Sequence, residues 1–195
     1  MRVMKKSFLL NSRQEVTPSA LMMEVANDDS HQAFEELYRQ LYKKLYKFVY
    51  FIVLDDEKAQ ELVHDAFLTL YDKRKMYRKE YQITTWLWTI ARNKSYDFLK
   101  KIKEVSVEDD VITKIEDKEI SALEKLVTNA TSETIKNALF ELPNSQRECI
   151  TLWMEDHSGE EMAEVLGKSK QAIKNLVNRA KLNLKEILER EMESL

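Results

Sequence analysis

Two cationic clusters are the residues best suited to chemistry in this sequence, and both suit an anionic polymer. In the first, Lys73, Arg74, Lys75, Arg78 and Lys79 are interleaved with Tyr77 and Tyr81, and Trp86 and Trp88 follow at once. Cations beside exposed rings fit single-stranded nucleic acid, whose bases stack on the rings while its backbone charge is neutralised. Trp86 and Ile90 lie one turn apart and are expected inward, which leaves Trp88 as the candidate for partial exposure. In the second cluster, the stretch Lys168–Lys185 holds six basic residues and no acid. One face of it carries Lys170, Lys174, Asn175, Asn178, Lys181 and Lys185. Lysine there can reach phosphates or guanine acceptors, and asparagine can pair with adenine. Helix amides near Ser169 are suited to a phosphate. The plainer reading, solvated helix faces with the tryptophans in a core, stays open for both clusters.

A third constellation is Glu61, His64, Asp65 and Leu68, which share one face of a helix opposite its apolar side. An acidic patch with an outward leucine suits protein docking. Catalysis finds no support. The histidines His31, His64 and His157 are scattered without ligand spacing, and no nucleophile–base pair or glycine-rich phosphate loop occurs. Cys149, the one cysteine, excludes an internal disulfide and any multi-cysteine metal site, and it sits on an apolar helix face as a small hydrophobe. No enzyme, metal or cofactor is therefore expected.

The elements that must position these residues read as helices throughout. The 195 residues include only Gly159, Gly167, Pro18 and Pro143 as turn formers, too few for a sandwich or barrel. Residues 1–30 lack sustained periodicity and read as a leader, either a tail or a short accessory helix. From Phe34 the apolar positions Leu37, Tyr38, Leu41, Leu45, Phe48, Val49 and Ile52 mark a long amphipathic helix, capped by Asp29 or Ser30. Asp55, Asp56 and Glu57 start a second helix whose inner face is Ala59, Leu62, Val63, Ala66, Phe67 and Leu70. Residues 73–82 read as a loop, and Thr84 or Thr85 caps a third helix from Trp86 to about Lys101. After residues 104–130, read as a partly helical connector, a helix with Ile135, Ala138, Leu139 and Leu142 stops at Pro143. The next holds Cys149, Ile150, Trp153 and Met154 inward. Ser158 then caps a short helix ended by Gly167, and a longer helix follows with Ile173, Leu176, Val177, Ala180, Leu184, Ile187 and Leu188 inward. A short helix, a glycine, a brief link and a longer capped helix are the arrangement of a helix-turn-helix.

Charge follows the same division. Residues 31–103 carry 15 Lys/Arg against 10 Asp/Glu, whereas residues 104–129 carry 3 against 8, so an anionic connector separates two cationic regions. The formal net charge of −3 argues against a protein that coats nucleic acid non-specifically. No apolar run approaches the roughly 20 residues of a membrane span. The first ten residues are basic and then briefly apolar without a cleavage site, so no signal peptide is expected and a cytoplasmic, reducing location is. The expected class is all-α, with two small helical domains at 31–103 and 131–195 joined by the acidic connector 104–130.

Taken together these residues resemble the extracytoplasmic-function (group IV) sigma factors of bacterial RNA polymerase. In the first half the matching runs are Ala59-Gln-Glu-Leu-Val-His-Asp-Ala-Phe67 and Thr85-Trp-Leu-Trp-Thr-Ile-Ala-Arg-Asn93, with Asp97. In the second they are Leu139-Phe-Glu-Leu-Pro143 with Arg147-Glu148, then Glu161-Met-Ala-Glu-Val-Leu-Gly167, and Ile173 through Arg179-Ala180-Lys181. The likeness spans roughly residues 32–102 and 133–189, with both halves in order. It implies that Glu61, His64, Asp65 and Leu68 dock on the clamp of the largest subunit of core RNA polymerase. It implies that the loop around Tyr77, Arg78, Lys79 and Tyr81, with Trp88, Arg92 and Asn93, captures melted bases of the −10 element of promoter DNA. It implies that Lys170, Gln171, Lys174, Asn175, Asn178 and Arg179 read the −35 element in the major groove. An anti-sigma protein is a further implied partner. The residues alone leave two other readings open, a stand-alone helix-turn-helix repressor and a helical adaptor that binds only protein.

Overall fold

A computed structural model describes residues 16–105 and 130–193, and every regular element among them is a helix. Helix α1 spans Pro18–Asp28. Thr17 caps it through its hydroxyl and Pro18 occupies the first turn, where a missing N–H costs nothing. Residues 1–15 lie outside the described residues, but the accessory-helix reading of the leader is what α1 realises. Its Leu21, Met22, Val25 and Ala26 are buried in the main core, so α1 is a structural layer packed with the first half.

Helix α2 (His31–Val53) starts at Ser30, whose hydroxyl accepts from the Ala33 amide, and α3 (Asp56–Asp72) starts at Asp55, whose carboxylate accepts from the Lys58 amide. All six inner positions expected for α3 are buried. A 3₁₀ turn, Arg74–Met76, and a short loop lead to α4 (Ile83–Val105). Helix α4 begins one turn earlier than a threonine cap would place it. Ile83 is buried and pulls the first turn into the core, so Thr85 becomes an interior helical residue.

The second half comprises α5 (Ala130–Glu141), α6 (Asn144–Met154), α7 (Gly159–Leu166) and α8 (Lys170–Glu193). Helix α7 carries a full capping box between Ser158 and Glu161, and Gly167 closes it at φ +62, a conformation that glycine adopts without a Cβ penalty. On α6 the inward run is Arg147–Leu152. Trp153 and Met154, expected inward, are 43% and 47% exposed. The reason is that α2 and α8 cover α6 on two sides and bury six consecutive residues, while Trp153 and Met154 fall on its open side, Trp153 under Lys181 of α8. The connector expected at 104–130 falls mainly on residues 106–129, which lie outside the described residues.

The two halves pack on each other through α2 with α6 and through α4 with α7. One buried cluster runs through both: Cys149, Leu152, Met162, Val165, Leu166, Ile173 and Val177 join the side chains of α1–α4. Burying a large apolar side chain contributes about 1.5–3 kcal/mol, so this shared cluster holds the halves as one body.

Candidate nucleic-acid interface

Helix α8 presents the clearest surface for a duplex. Ile173, Val177 and Ala180 are buried against α6 and α7, and this turns Lys170, Gln171, Lys174, Asn175, Asn178, Arg179, Lys181 and Lys185 to solvent. The hydroxyl of Ser169 accepts from the Ala172 amide at 3.2 Å and opens the helix. Lys170 is bonded to Glu160 of α7 at 2.6 Å, and Gln171 donates to the Asn175 side chain at 3.1 Å. Lys181 lies over the Trp153 ring, 3.7 Å from its centroid, and that contact accounts for the outward tryptophan. Lys174, Asn178 and Arg179 thus share a face on which Lys170, Gln171, Asn175 and Lys181 are already engaged within the chain.

The basic and aromatic cluster of the first half is more structured than a loop. Tyr77 is buried, against the expectation of exposure: its hydroxyl donates to the Tyr81 carbonyl at 3.0 Å, and its ring stacks on Trp86 at 6.0 Å with an interplanar angle of 6°. Trp88 is only 1% exposed, whereas Trp86 is half-buried, so the assignment of the two tryptophans is reversed. Helical spacing from Ile90 cannot decide between them, because the second half packs over the face that carries Trp88. The His157 ring covers it at 5.1 Å. Arg78, Lys79, Tyr81 and Asn93 are exposed as expected. Arg78 donates to the carbonyls of Lys75 and Tyr77 at 3.2 and 3.1 Å.

Arg92 is engaged. Its Nε donates to Glu148 Oε2 of α6 at 2.8 Å, and the Tyr96 hydroxyl donates to the other oxygen of the same carboxylate. Glu148 has only 4% of its side chain exposed, so its charge is held by these two donors. Burial and the adjoining carboxylate push the Tyr96 hydroxyl up to about 12. Arg147 next to Glu148 is also buried, and burial lowers its affinity for its proton. Around this pair Lys44 and Lys47 of α2 reach Glu155 at 3.5 and 3.4 Å, and Tyr50 and Phe51 meet Phe140 edge-on or tilted. Glu148, Tyr96 and His157 are functional candidates that sequence reasoning missed. Periodicity along α6 does not reveal that its one acid, Glu148, is enclosed, because the enclosing groups Arg92 and Tyr96 come from α4 in the other half.

On α3 the expected docking face is open. Glu61, His64, Asp65 and Leu68 are all exposed, Leu68 at 61%. Glu61 pairs with Lys58, and His64 Nδ1 lies 3.1 Å from the Tyr38 hydroxyl while its ring packs 5.8 Å from both Tyr38 and Tyr42. His64 is therefore a placed surface residue. Among the described residues no group of three His, Cys, Asp or Glu can hold a metal ion, and no helix is long and apolar enough to cross a membrane.

Comparison with known proteins finds one family match in each half of the chain. The family described as Sigma-70 region 2 matches residues 37–104, and that described as Sigma-70, region 4 matches residues 132–184. The ECF RNA polymerase sigma factor SigM of Bacillus subtilis is 26% identical over 138 residues, 70% of this chain and 83% of its own length. The ECF RNA polymerase sigma factor BldN of Streptomyces coelicolor is 30% identical over 178 residues, 87% of this chain and 67% of its own. The sigma factor RpoE of Bartonella quintana, crystallised with the anti-sigma factor NepR, superposes with a TM-score of 0.70 at 26% identity, covering 81% of this chain and 98% of that one. CnrH, solved with the cytosolic domain of CnrY, shares the fold at a TM-score of 0.65 and 19% identity over 89% and 97% of the two chains.

Proposed function

This chain belongs to the extracytoplasmic-function branch of the sigma-70 family, and from that premise we propose that it directs promoter-specific initiation by core RNA polymerase through one element in each half. Helix α8 reads the −35 duplex with Lys170, Gln171, Lys174, Asn175, Asn178 and Arg179. The Arg78–Tyr81 segment and α4, with Trp88, Arg92 and Asn93, capture the −10 strand. The α3 face of Glu61, His64, Asp65 and Leu68 docks on the clamp of the polymerase's largest subunit. Residues 31–103 and 131–195 act as the two functional domains with 104–130 between them, and the protein works in the cytoplasm.

The observation that carries this reading is α8. Buried Ile173, Val177 and Ala180 leave a cationic face with no acid from Lys168 to Lys185, borne on a helix-turn-helix. A protein-only adaptor has no use for that face. A stand-alone repressor has no use for a second, aromatic cationic element in the other half.

The arrangement of the halves adds a condition. Arg92 cannot serve Glu148 and a DNA phosphate at once, and His157 covers Trp88. Strand capture therefore requires the halves to separate, and docking on the polymerase supplies the occasion. A partner that stabilises the packed arrangement inhibits. RpoE, crystallised with an anti-sigma factor, makes a protein of that kind the natural candidate.

The test is in vitro transcription with bacterial core polymerase, the purified chain and a promoter library. Initiation from a defined set of templates, lost in the Lys174→Ala/Asn178→Ala variant, is expected. A folded, inhibitor-free chain that directs initiation nowhere removes the reading.

A further inference from the structure

We propose that Asp29, upstream of the family match, is a positioning residue for strand capture: its carboxylate clamps the basic turn so that Arg78, Lys79 and Tyr81 are presented in one fixed geometry. The inference rests on the strand-capture reading of the preceding section.

Asp29 terminates α1 at φ 51, in the left-handed region that Asp and Asn tolerate better than most residues. One carboxylate oxygen accepts from Arg74 Nε, and the other lies 3.3 Å from Lys75 Nζ. Both cations are bound a second time. Arg74 donates to the Tyr71 carbonyl at 2.9 Å and lies 4.2 Å over the Tyr71 ring, while Lys75 donates to the Ala26 carbonyl of α1 at 2.9 Å. The capture segment leaves directly from this knot, because Arg78 donates to the Lys75 carbonyl. Its far end is tied by the Tyr77 hydroxyl to the Tyr81 carbonyl. Helix α1 is itself fixed by four buried side chains, so Asp29 joins a rigid layer to the start of the segment.

Two consequences separate positioning from mere stability. Asp29 is about half exposed, at 48%, with Lys75 at 56% and Arg74 at 21%, and pairs to a carboxylate this open to solvent add little to folding. Asp29 also offsets two of the five cations of the cluster, leaving Lys73, Arg78 and Lys79 for phosphates.

The experiment uses holoenzyme reconstituted from core polymerase and the full chain, comparing wild type with Asp29→Asn. Asparagine keeps the left-handed turn and removes the charge. Promoter opening, read by permanganate reactivity at the −10 element, is expected to fall about three- to tenfold, the range that loss of one or two surface contacts spans. Polymerase affinity and thermal midpoint are expected to stay unchanged, and duplex binding to become more salt-dependent as the two cations are freed. Asp29→Gly, which also accepts positive φ, is expected to match. Opening equal to or above wild type overturns the inference while leaving the sigma-factor reading intact. Equal losses in opening, duplex binding and polymerase affinity overturn it as well, since they mark general destabilisation. Failure of the wild-type holoenzyme to open any promoter overturns both.

Discussion

Lys174 and Asn178 lie one turn apart on the open face of α8 and test readout residue by residue. Asn178→Ala is expected to cost about 1–3 kcal/mol at its preferred base and to relax preference there, because a bidentate base contact is lost. Lys174→Ala is expected to weaken binding evenly across templates and to lower the salt slope by about one, as loss of a phosphate contact does. Competition binding by holoenzyme on matched and mutated −35 duplexes at several salt concentrations separates the two. Cys149 gives a second residue-scale prediction. Burial pushes its thiol up to about 11, so little thiolate forms near neutral pH. Thiol-reagent labelling of the native chain at pH 8 is expected to be far slower than in denaturant, and equal rates would contradict the enclosed position between the halves.

At the scale of elements, the helix-turn-helix depends on its two local signals. Ser158→Ala removes the α7 capping box, and Gly167→Ala forces a Cβ into φ +62 although no atom lies within 4 Å of it. Each is expected to cost about 1 kcal/mol, read as a shift in denaturant midpoint, with Gly167→Ala acting through backbone strain alone. These signals are legible in the sequence, as are the cap Asp55 and every inner position of α3, whereas the sequence leaves the α2 cap open between Asp29 and Ser30 and the structure gives it to Ser30. Local chemistry decides them: a hydroxyl or carboxylate beside free amides, apolar residues at a period of 3.6. What periodicity could not give was burial imposed from elsewhere in the chain. Trp88 and Tyr77 carry the same sequence signal as exposed stacking residues, and only the packing of the second half and the Tyr77–Tyr81 bond enclose them. Trp153 shows the converse, an apolar residue on the expected inner face that lies at the surface beneath Lys181 of α8. The sequence leaves the leader open between a tail and a short accessory helix, because the eleven residues of α1 are too short a window for sustained periodicity to mark its four core side chains.

For the whole molecule, the buried Glu148 joins the two halves, which the proposed strand capture requires to separate. Glu148→Gln leaves Arg92 and Arg147 without that anion, a loss on the order of 3 kcal/mol for a buried pair. The variant is expected to be more extended in small-angle scattering and to bind a single-stranded −10 oligonucleotide several-fold better, and an unchanged scattering profile would contradict the latch. His157 supplies a pH dependence. Burial holds its imidazole below the usual 6.5, with Lys44 opposing its charge and Glu155, Asp156 and Glu161 favouring it. Below pH 6.5 the unfolded chain takes up a proton that the packed chain resists, so stability is expected to fall as pH drops from 7 to 5. His157→Phe is expected to flatten that slope in denaturant titrations. The central claim, that neither half finds a promoter until both are mounted on the polymerase, is met most directly by one comparison. Promoter-duplex affinity of the free chain is measured beside that of the reconstituted holoenzyme across a salt series. The net charge of −3 and the occupied Arg92 lead us to expect weak binding by the free chain and tight, salt-sensitive binding by the holoenzyme. Nanomolar, sequence-specific binding by the free chain, unimproved by core polymerase, would contradict it.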